Sequence, residues 1–327
     1  MPLTNHLKSE TQKPGLLVLF EDGKQIKTEP VSLENTDGTT KIGTIHCRLS
    51  KQTYIENVHK LLAHIKRGDI YEINYCIEFF SDDAILNPQQ VFKKLNSLTE
   101  APFAQLLKAG DNYIICASPE RFLQKKGDIL ISQPMKGTAR RSADAAEDLK
   151  IKATLKNNLK EQTENVMALD VARNDLSQVA QKGSVVVDEL FGVHTFKNVH
   201  QMVSTVSCKL KEDTGFDDIL KATFPAASMT GAPKIKAIEL IKKYELSPRS
   251  IYSGALGFIE ANGDFDLCVV IRTIIYNEKL NRLSFHVGSA ITAQCDPEEE
   301  WKECLLKAET IFTSLGVSIN DVVFPGQ

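Results

Sequence analysis

Residues 253–276 read SGALGFIEANGDFDLCVVIRTIIY. Asn262-Gly263-Asp264 supplies a tight turn between two strand-like runs, the pattern of a β-hairpin. A second turn signal at 277–281 leads into a third such run, so strands over 253–260, 265–276 and 283–287 are expected to form a meander. Working outward, Ile55, Val58, Leu61, Leu62 and Ile65 recur at helical spacing over 54–66, before Gly68. Ile73, Tyr75, Ile77 and Phe79 then alternate with Glu72, Asn74, Cys76 and Glu78, which predicts a half-buried strand. Further strands are expected over 16–20, 42–49, 113–116, 129–132, 185–190 and 202–207. Helices are expected over 88–98, 217–224, 234–244 and 297–315, the last stopped by Gly316. Residues 144–179 contain neither proline nor glycine and read as one or two long helices. Hairpin strands mixed with helices in no βαβ rhythm predict an α+β fold, with antiparallel sheets and helices outside them.

A chain of 327 residues suits one large α+β unit. Its net charge of −3 argues against nucleic acid as the main partner, because phosphate binding needs clustered cationic charge. Seven cysteines lie scattered without a CxxC pair, which suits a reducing, cytoplasmic location rather than a disulfide framework. No signal-peptide core opens the sequence, and no apolar run approaches the roughly 20 residues of a membrane span.

Four stretches carry candidate chemistry. Lys136, in Gln133-Pro134-Met135-Lys136-Gly137-Thr138, is expected on a tight loop after the strand over 129–132. It is either a surface charge or a desolvated amine whose lowered pKa frees a lone pair. Glu120, in Ser118-Pro119-Glu120-Arg121-Phe122, is either a turn carboxylate paired with Arg121 or a buried general acid. Glu161 and Glu164 share one helix face, and Glu300, Glu303 and Lys307 share another. Those two pairs are either solvated faces, with Glu303–Lys307 as an ordinary salt bridge, or ligands for a hard divalent ion such as Mg²⁺. The loop 224–234, FPAASMTGAPK, runs into a helix and is either an ordinary proline-started entry or an anion-binding helix N-terminus.

In order along the chain come DVARNDL from Asp170, Glu189-Leu190-Phe191, His200-Gln201-Met202-Val203-Ser204, the TGAPK loop, Ile271-Arg272-Thr273 and DPEEEW from Asp296. Together these motifs resemble the chorismate-utilising enzymes, over roughly residues 50 to 320. The resemblance implies two packed antiparallel β-sheets with helices outside, in a single chorismate-binding catalytic domain over 1–327 whose N-terminal region, about 1–50, is shortened. It also implies no tryptophan feedback, since an LLES-type motif is absent. A lysine in the PxKGT loop looks like the aminodeoxychorismate synthase branch, and no lysine stands over 71–79, where isochorismate and salicylate synthases carry their base.

By the same resemblance Glu120 protonates the departing C4 hydroxyl, and Lys136 attacks C2 in a transient adduct that ammonia displaces at C4. Glu161, Glu164, Glu300 and Glu303 match Mg²⁺ positions. Tyr252 and Arg272 match positions that hold the enolpyruvyl carboxylate. Thr138, His200, Thr230, Gly231, Lys307 and the backbone near Gly288 and Ala290 resemble further substrate contacts. Two departures stand out: Gly288-Ser289-Ala290 replaces a glycine-rich turn, where side chains are expected to crowd the carboxylate, and Ala227 replaces a glycine. The implied function is aminodeoxychorismate synthase component I, fed with ammonia by a glutamine amidotransferase partner, because no Gly-x-Cys-x-Gly nucleophile elbow is present. Anthranilate synthase component I is the alternative. A catalytically silent chorismate-binding subunit is a further one, against which the retention of Glu120, Lys136 and the acidic pairs argues.

Overall fold

The computed structural model describes residues 18–21, 24–27, 29–31, 33 and 38–326. Seven helices are described: α1 Lys51–Lys66, α2 Pro88–Thr99, α3 Ala145–Lys156, α4 Leu159–Val179, α5 Phe216–Thr223, α6 Lys234–Tyr244 and α7 Pro297–Leu315. Each boundary has a local cause. The helix expected from 54 begins at Lys51 because the Ser50 hydroxyl accepts from Thr53 N. The proline-free run over 144–179 divides at Asn157-Asn158, where Asn158 caps α4 through the amides of Lys160 and Glu161. Asp296 caps α7, and Gly316 ends it at φ 76°. None of the described helices is long and apolar enough to cross a membrane.

The strands form two main antiparallel sheets. The first runs Met135–Arg140, Val199–Lys209, Ile129–Ser132, Arg121–Lys126, Phe265–Val269, Ala255–Ile259, with Val186–Thr195 also on Val199–Lys209. The second runs Gly231–Ala232, Glu72–Ser81, Arg282–Thr292, Thr273–Asn277, Asn112–Ser118, Phe103–Ala109, Glu29–Pro30. Two short pairs lie apart from them. Of the strand expected over 16–20, residues 18–20 lie in Val18–Glu21, paired with Lys24–Lys27, while 16 and 17 fall outside the described residues.

Helices cover the outer faces. Val58 and Leu61 of α1, Leu95 of α2, Leu240 of α6 and Ile311 and Phe312 of α7 pack on Ile73, Ile77, Phe79 and Phe285 of the second sheet. Phe79, Phe285 and Phe312 stack or meet edge to face at 5.2–5.3 Å. Leu169, Leu176 and Val179 of α4 and Ile219 of α5 cover Leu123, Leu130 and Val206 of the first sheet. Between the sheets a small third core joins Ile114 and Cys116 to Leu256, Cys268 and Val270. All seven cysteines are unpaired.

Three expectations change. The strand at 72–79 is not half-buried: Glu72–Ser81 is buried on both faces, apolar toward the helices and polar toward the opposite sheet. The run 265–276 is not one strand. It breaks at Val270-Ile271-Arg272, so Phe265–Val269 belongs to the first sheet and Thr273–Asn277 to the second. The chain crosses back the other way at Ser118-Pro119-Glu120, and the two crossings are bonded together, Val269 N to Glu120 O at 3.0 Å and Ala117 N to Arg272 O at 3.2 Å. Third, Lys136 stands in the strand Met135–Arg140 rather than on a loop, at a register shift that Gly137 accommodates with φ 89°.

Gly231 closes the edge of the second sheet against Ile73 at φ 148°, and a Cβ there would lie 2.2 Å from the Glu72 carbonyl oxygen. Gly231→Ala should therefore lose roughly 2–4 kcal/mol of stability through strain and edge displacement. Urea unfolding measures it, and an unchanged midpoint would show that this edge yields freely.

Candidate active site

The crossing at 118–120 plants Glu120 between the sheets, 5% exposed. Its carboxylate accepts from the Ser228 hydroxyl at 2.6 Å and more weakly from Met135 N at 3.4 Å. Arg121 does not pair with it. That guanidinium is clamped by Asp266 at 2.8 and 2.9 Å, which removes the simple turn-carboxylate reading. Burial pushes the Glu120 pKa up to about 7, against the opposing pull of Ser228, Met135 N, Lys136 and Lys307. It is a carboxylic acid poised to give up a proton near neutral pH.

Lys136 reaches across to the other sheet, where its amine lies 2.6 Å from Glu72 Oε1, with the two side chains 11% and 5% exposed. Burial alone would lower its pKa, as the sequence suggested. The carboxylates of Glu72, Glu164 and Glu120 outweigh burial and raise it, so Lys136 rests as an ammonium.

On one side of this pair stand the acidic faces of α4 and α7. Burial raises the pKa of Glu161, of Glu164 (to about 7) and of Glu300, and carboxylate neighbours raise each further. At Glu303 burial is outweighed by Lys307, Lys160 and Lys136, and its pKa falls. The Lys160 amine sits between the helices, 3.3 Å from Glu300 and 3.9 Å from Glu164. Lys307 pairs with Glu303 at 2.6 Å and donates to the Gly288 carbonyl at 2.9 Å. Among the described residues no three acidic, histidine or cysteine side chains converge on one point; Lys160 lies at Glu164 and Glu300, and Lys307 at Glu303. The donor set itself, crowded carboxylates on two facing helices, is the chemistry a hard divalent cation takes.

A guanidinium, backbone amides and hydroxyls line the rest. Arg272, in the second crossing at φ 50°, makes no side-chain hydrogen bond or ion pair among the described residues. Burial lowers its pKa, while Glu120 favours its charge. Gly288, Ser289 and Ala290 are not a turn; they lie in the strand Arg282–Thr292 opposite Cys76, Tyr75 and Asn74. The Gly288 carbonyl faces Lys307, so by strand alternation the Gly288 and Ala290 amides point off that same open edge. The Ser289 side chain points the other way, to Tyr54 Oη at 2.8 Å, so it does not crowd a carboxylate there. Tyr252 is buried and stacked on His286 at 5.2 Å. Thr230 and Gly231 border Glu72, although the Thr230 hydroxyl is turned onto its own loop at 3.3 Å from the Ala226 and Ala227 carbonyls.

Thr138 and His200 stand apart. His200 binds Asp148 of α3 at 2.9 Å and Thr195 at 3.0 Å, and Arg141 holds that Asp148 down to about 2. Thr138 accepts from Gln201 at 3.4 Å. At the start of α6 the Lys234 amine turns back onto Asp175 and the carbonyls of Thr223 and Pro225. Glu72, Lys160 and Ser228 were not singled out by sequence. The one available signal was the polar stripe Glu72, Asn74, Cys76, Glu78 on a strand whose other face is wholly apolar.

The sequence profile of the chorismate binding enzymes matches residues 5–313. The chain belongs to that family. An aminodeoxychorismate synthase of Streptomyces griseus is 37% identical over 287 residues, 87% of this chain and 38% of that protein. Anthranilate synthase component 1 of Bacillus subtilis (strain 168) is 32% identical over 314 residues, 96% of this chain and 59% of that one. The crystal structure of anthranilate synthase component I from Streptococcus pneumoniae TIGR4 superposes with a TM-score of 0.76 at 28% identity, over 86% of this chain and 62% of that one. This chorismate-binding enzyme thus spans under two thirds of the length of each.

Ser228 stabilises the ionised form of Glu120, so Ser228→Ala should move the Glu120 ionisation upward. The carboxyl's ionisation, followed by NMR of labelled glutamate, reports it; an ionisation that stays in place or moves to lower pH would show that Ser228 does not stabilise the carboxylate.

Proposed function

We propose that the chain is the chorismate-aminating component of an aminodeoxychorismate synthase, making 4-amino-4-deoxychorismate for p-aminobenzoate and folate synthesis. One observation carries the reading: a buried lysine amine, Lys136, stands beside the proton-donating carboxyl Glu120 and faces the acidic helices. The relative in Streptomyces griseus that bears the aminodeoxychorismate synthase name supports it. Glu120 gives its proton to the C4 hydroxyl as it departs. Lys136 attacks C2 and is later displaced when ammonia attacks C4, which splits one displacement into two easier ones. Arg272, with its free planar donors, takes the enolpyruvyl carboxylate, and the Gly288 and Ala290 amides take the ring carboxylate. Ammonia comes from a glutamine amidotransferase partner.

Glu161, Glu164, Glu300 and Glu303 would hold Mg²⁺, with Lys160 and Lys307 swinging aside. When bound, the ion would neutralise and orient the ring carboxylate. The relative in Bacillus subtilis favours a second reading, anthranilate synthase component I. The product decides between them, since anthranilate is fluorescent and has lost the pyruvyl group.

The test is purified protein with chorismate, Mg²⁺ and ammonium, and chromatographic separation of products. Aminodeoxychorismate should form, and Lys136→Ala should lower its rate on the order of 10²-fold or more. Anthranilate as the product, or a Lys136→Ala variant at the normal rate, would overturn the reading. Because Glu120 must be protonated, turnover at constant free ammonia should decline as pH rises through about 7.

Metal binding has its own readout. Saturating Mg²⁺ should raise the melting temperature by about 2–5 °C, more at pH 8 than at pH 6, where protons compete for the raised carboxylates. Glu164→Gln or Glu300→Gln should abolish that gain; an equal gain in the variants would move the ion elsewhere.

A further inference from the structure

We propose that Glu72 is the proton acceptor that turns Lys136 into a nucleophile. This rests on the aminating role of Lys136 given above and assigns a role to a second residue. An ammonium has no lone pair, so a lysine held as an ammonium must lose a proton before it can attack carbon. Glu72 is the single carboxylate in ion-pair range of the Lys136 amine among the described residues, at 2.6 Å. The other charged groups that face Lys136 are Glu120 from the sheet crossing, Glu161 and Glu164 from α4, and Glu303 from α7. Glu120 has to keep its proton for the leaving hydroxyl, and it is already bonded to Ser228 and Met135 N. Glu164 faces Lys160, and Glu303 is paired with Lys307.

Glu72 is also held still. Its backbone pairs with Ala232 on one side and Thr292 on the other, and the neighbouring Tyr71 amide bonds the Ala232 carbonyl at 2.7 Å. A carboxylate fixed on a sheet and 5% exposed takes a proton from its partner without exchanging it with bulk water.

The proton ledger closes. Lys136 passes a proton to Glu72, its lone pair forms the N–C2 bond, the ring double bonds shift, and the C4–O bond breaks. The hydroxyl leaves as water with the Glu120 proton. Ammonia then forms the N–C4 bond, the electrons shift back, and the C2–N bond to Lys136 breaks. Lys136 recovers its proton from Glu72, and one proton of the new ammonium returns to Glu120.

The internal transfer has a signature in the pH profile that a purely structural clamp lacks. In the wild type no net proton leaves the pair, so at saturating Mg²⁺ and constant free ammonia the rate should be nearly flat between about pH 5 and 6.5, below the ionisation of Glu120. In Glu72→Gln the amine must lose its proton to bulk water, so the rate should fall on the order of 10²-fold at about pH 6 and climb roughly tenfold per pH unit across that same range. The chorismate KM should change less than about threefold, because the carboxylate-binding groups are untouched. Glu72→Asp, which keeps the carboxylate, should restore the flat profile and much of the rate. A normal rate in Glu72→Gln, or a rate lowered by one factor at every pH, would overturn the role of Glu72. The two readings separate cleanly. If the wild type forms no aminated product, the proposed function fails and this role with it. If Lys136→Ala is dead while Glu72→Gln keeps a flat profile, only the role of Glu72 fails.

Discussion

The structure is governed by the need to keep charge inside a two-sheet interior. An unpaired buried ion costs several kcal/mol even after relaxation. Lys136 and Glu72 meet that demand as a buried pair, while the half-exposed Lys160 and Lys307 reach in to Glu164, Glu300 and Glu303. Glu161 of α4 and the two crossing residues Glu120 and Arg272 are left outside any ion pair among the described residues. Glu120 answers by holding a proton near neutral pH, supported by Ser228. Arg272 has no such escape, since a guanidinium does not give up its charge. Both lie in the segments where the chain passes between sheets, and both are the groups that a substrate with a leaving hydroxyl and a carboxylate would satisfy.

Those crossings explain why the fold positions the chemistry so tightly. A strand that changes sheets leaves backbone groups unpaired at the step, and here the two steps satisfy one another through Val269 N–Glu120 O and Ala117 N–Arg272 O. Glu120 and Arg272 are therefore fixed relative to each other by main chain. Arg272 adopts φ 50°, a conformation a bulky residue takes only when its surroundings impose it. The strain is tolerable because the Thr273 ladder on one side and Val270–Gly254 pairing on the other determine the backbone independently.

Much of this was legible in the sequence, for reasons that differ by element. Helices with caps and periodic faces, such as α1 and α7, were found to within a few residues because their signals are local. The hairpin about Asn262-Gly263 was equally local, and its register Phe258–Asp266 follows from the turn. The break at 270–272 was not readable, because Val270, Ile271, Arg272 and Thr273 carry strand propensity throughout and the change of sheet is a tertiary event. The alternation at 72–79 gave the strand and the wrong burial, since polar residues facing a second sheet look like polar residues facing water. Lys136 and Glu120 stand within family motifs, and burial by itself lowers a lysine pKa. The sign reversed because the carboxylates around it come from four separate elements, which no local window contains.

Counting charge across the cleft shows how the proposed chemistry and the electrostatics need the same things. Glu72, Glu120, Glu161, Glu164, Glu300 and Glu303 face Lys136, Lys160, Lys307 and Arg272, an excess of two negative charges when all are ionised. A dicarboxylate substrate would add two more. At about 5 Å and an effective dielectric near 20, each new like-charge pair is worth roughly 3 kcal/mol of repulsion. Arg272 meets one carboxylate, but the ring carboxylate would approach glutamates. Two changes relieve this. A proton on Glu120 removes one negative charge and supplies the acid for the leaving hydroxyl. A divalent ion held by the α4 and α7 carboxylates would remove two more and would give the ring carboxylate a positive partner. On the proposed function, the acid Glu120 and the ion would be conditions for binding before they are conditions for reaction, and an acidic interior would then suit an acidic substrate.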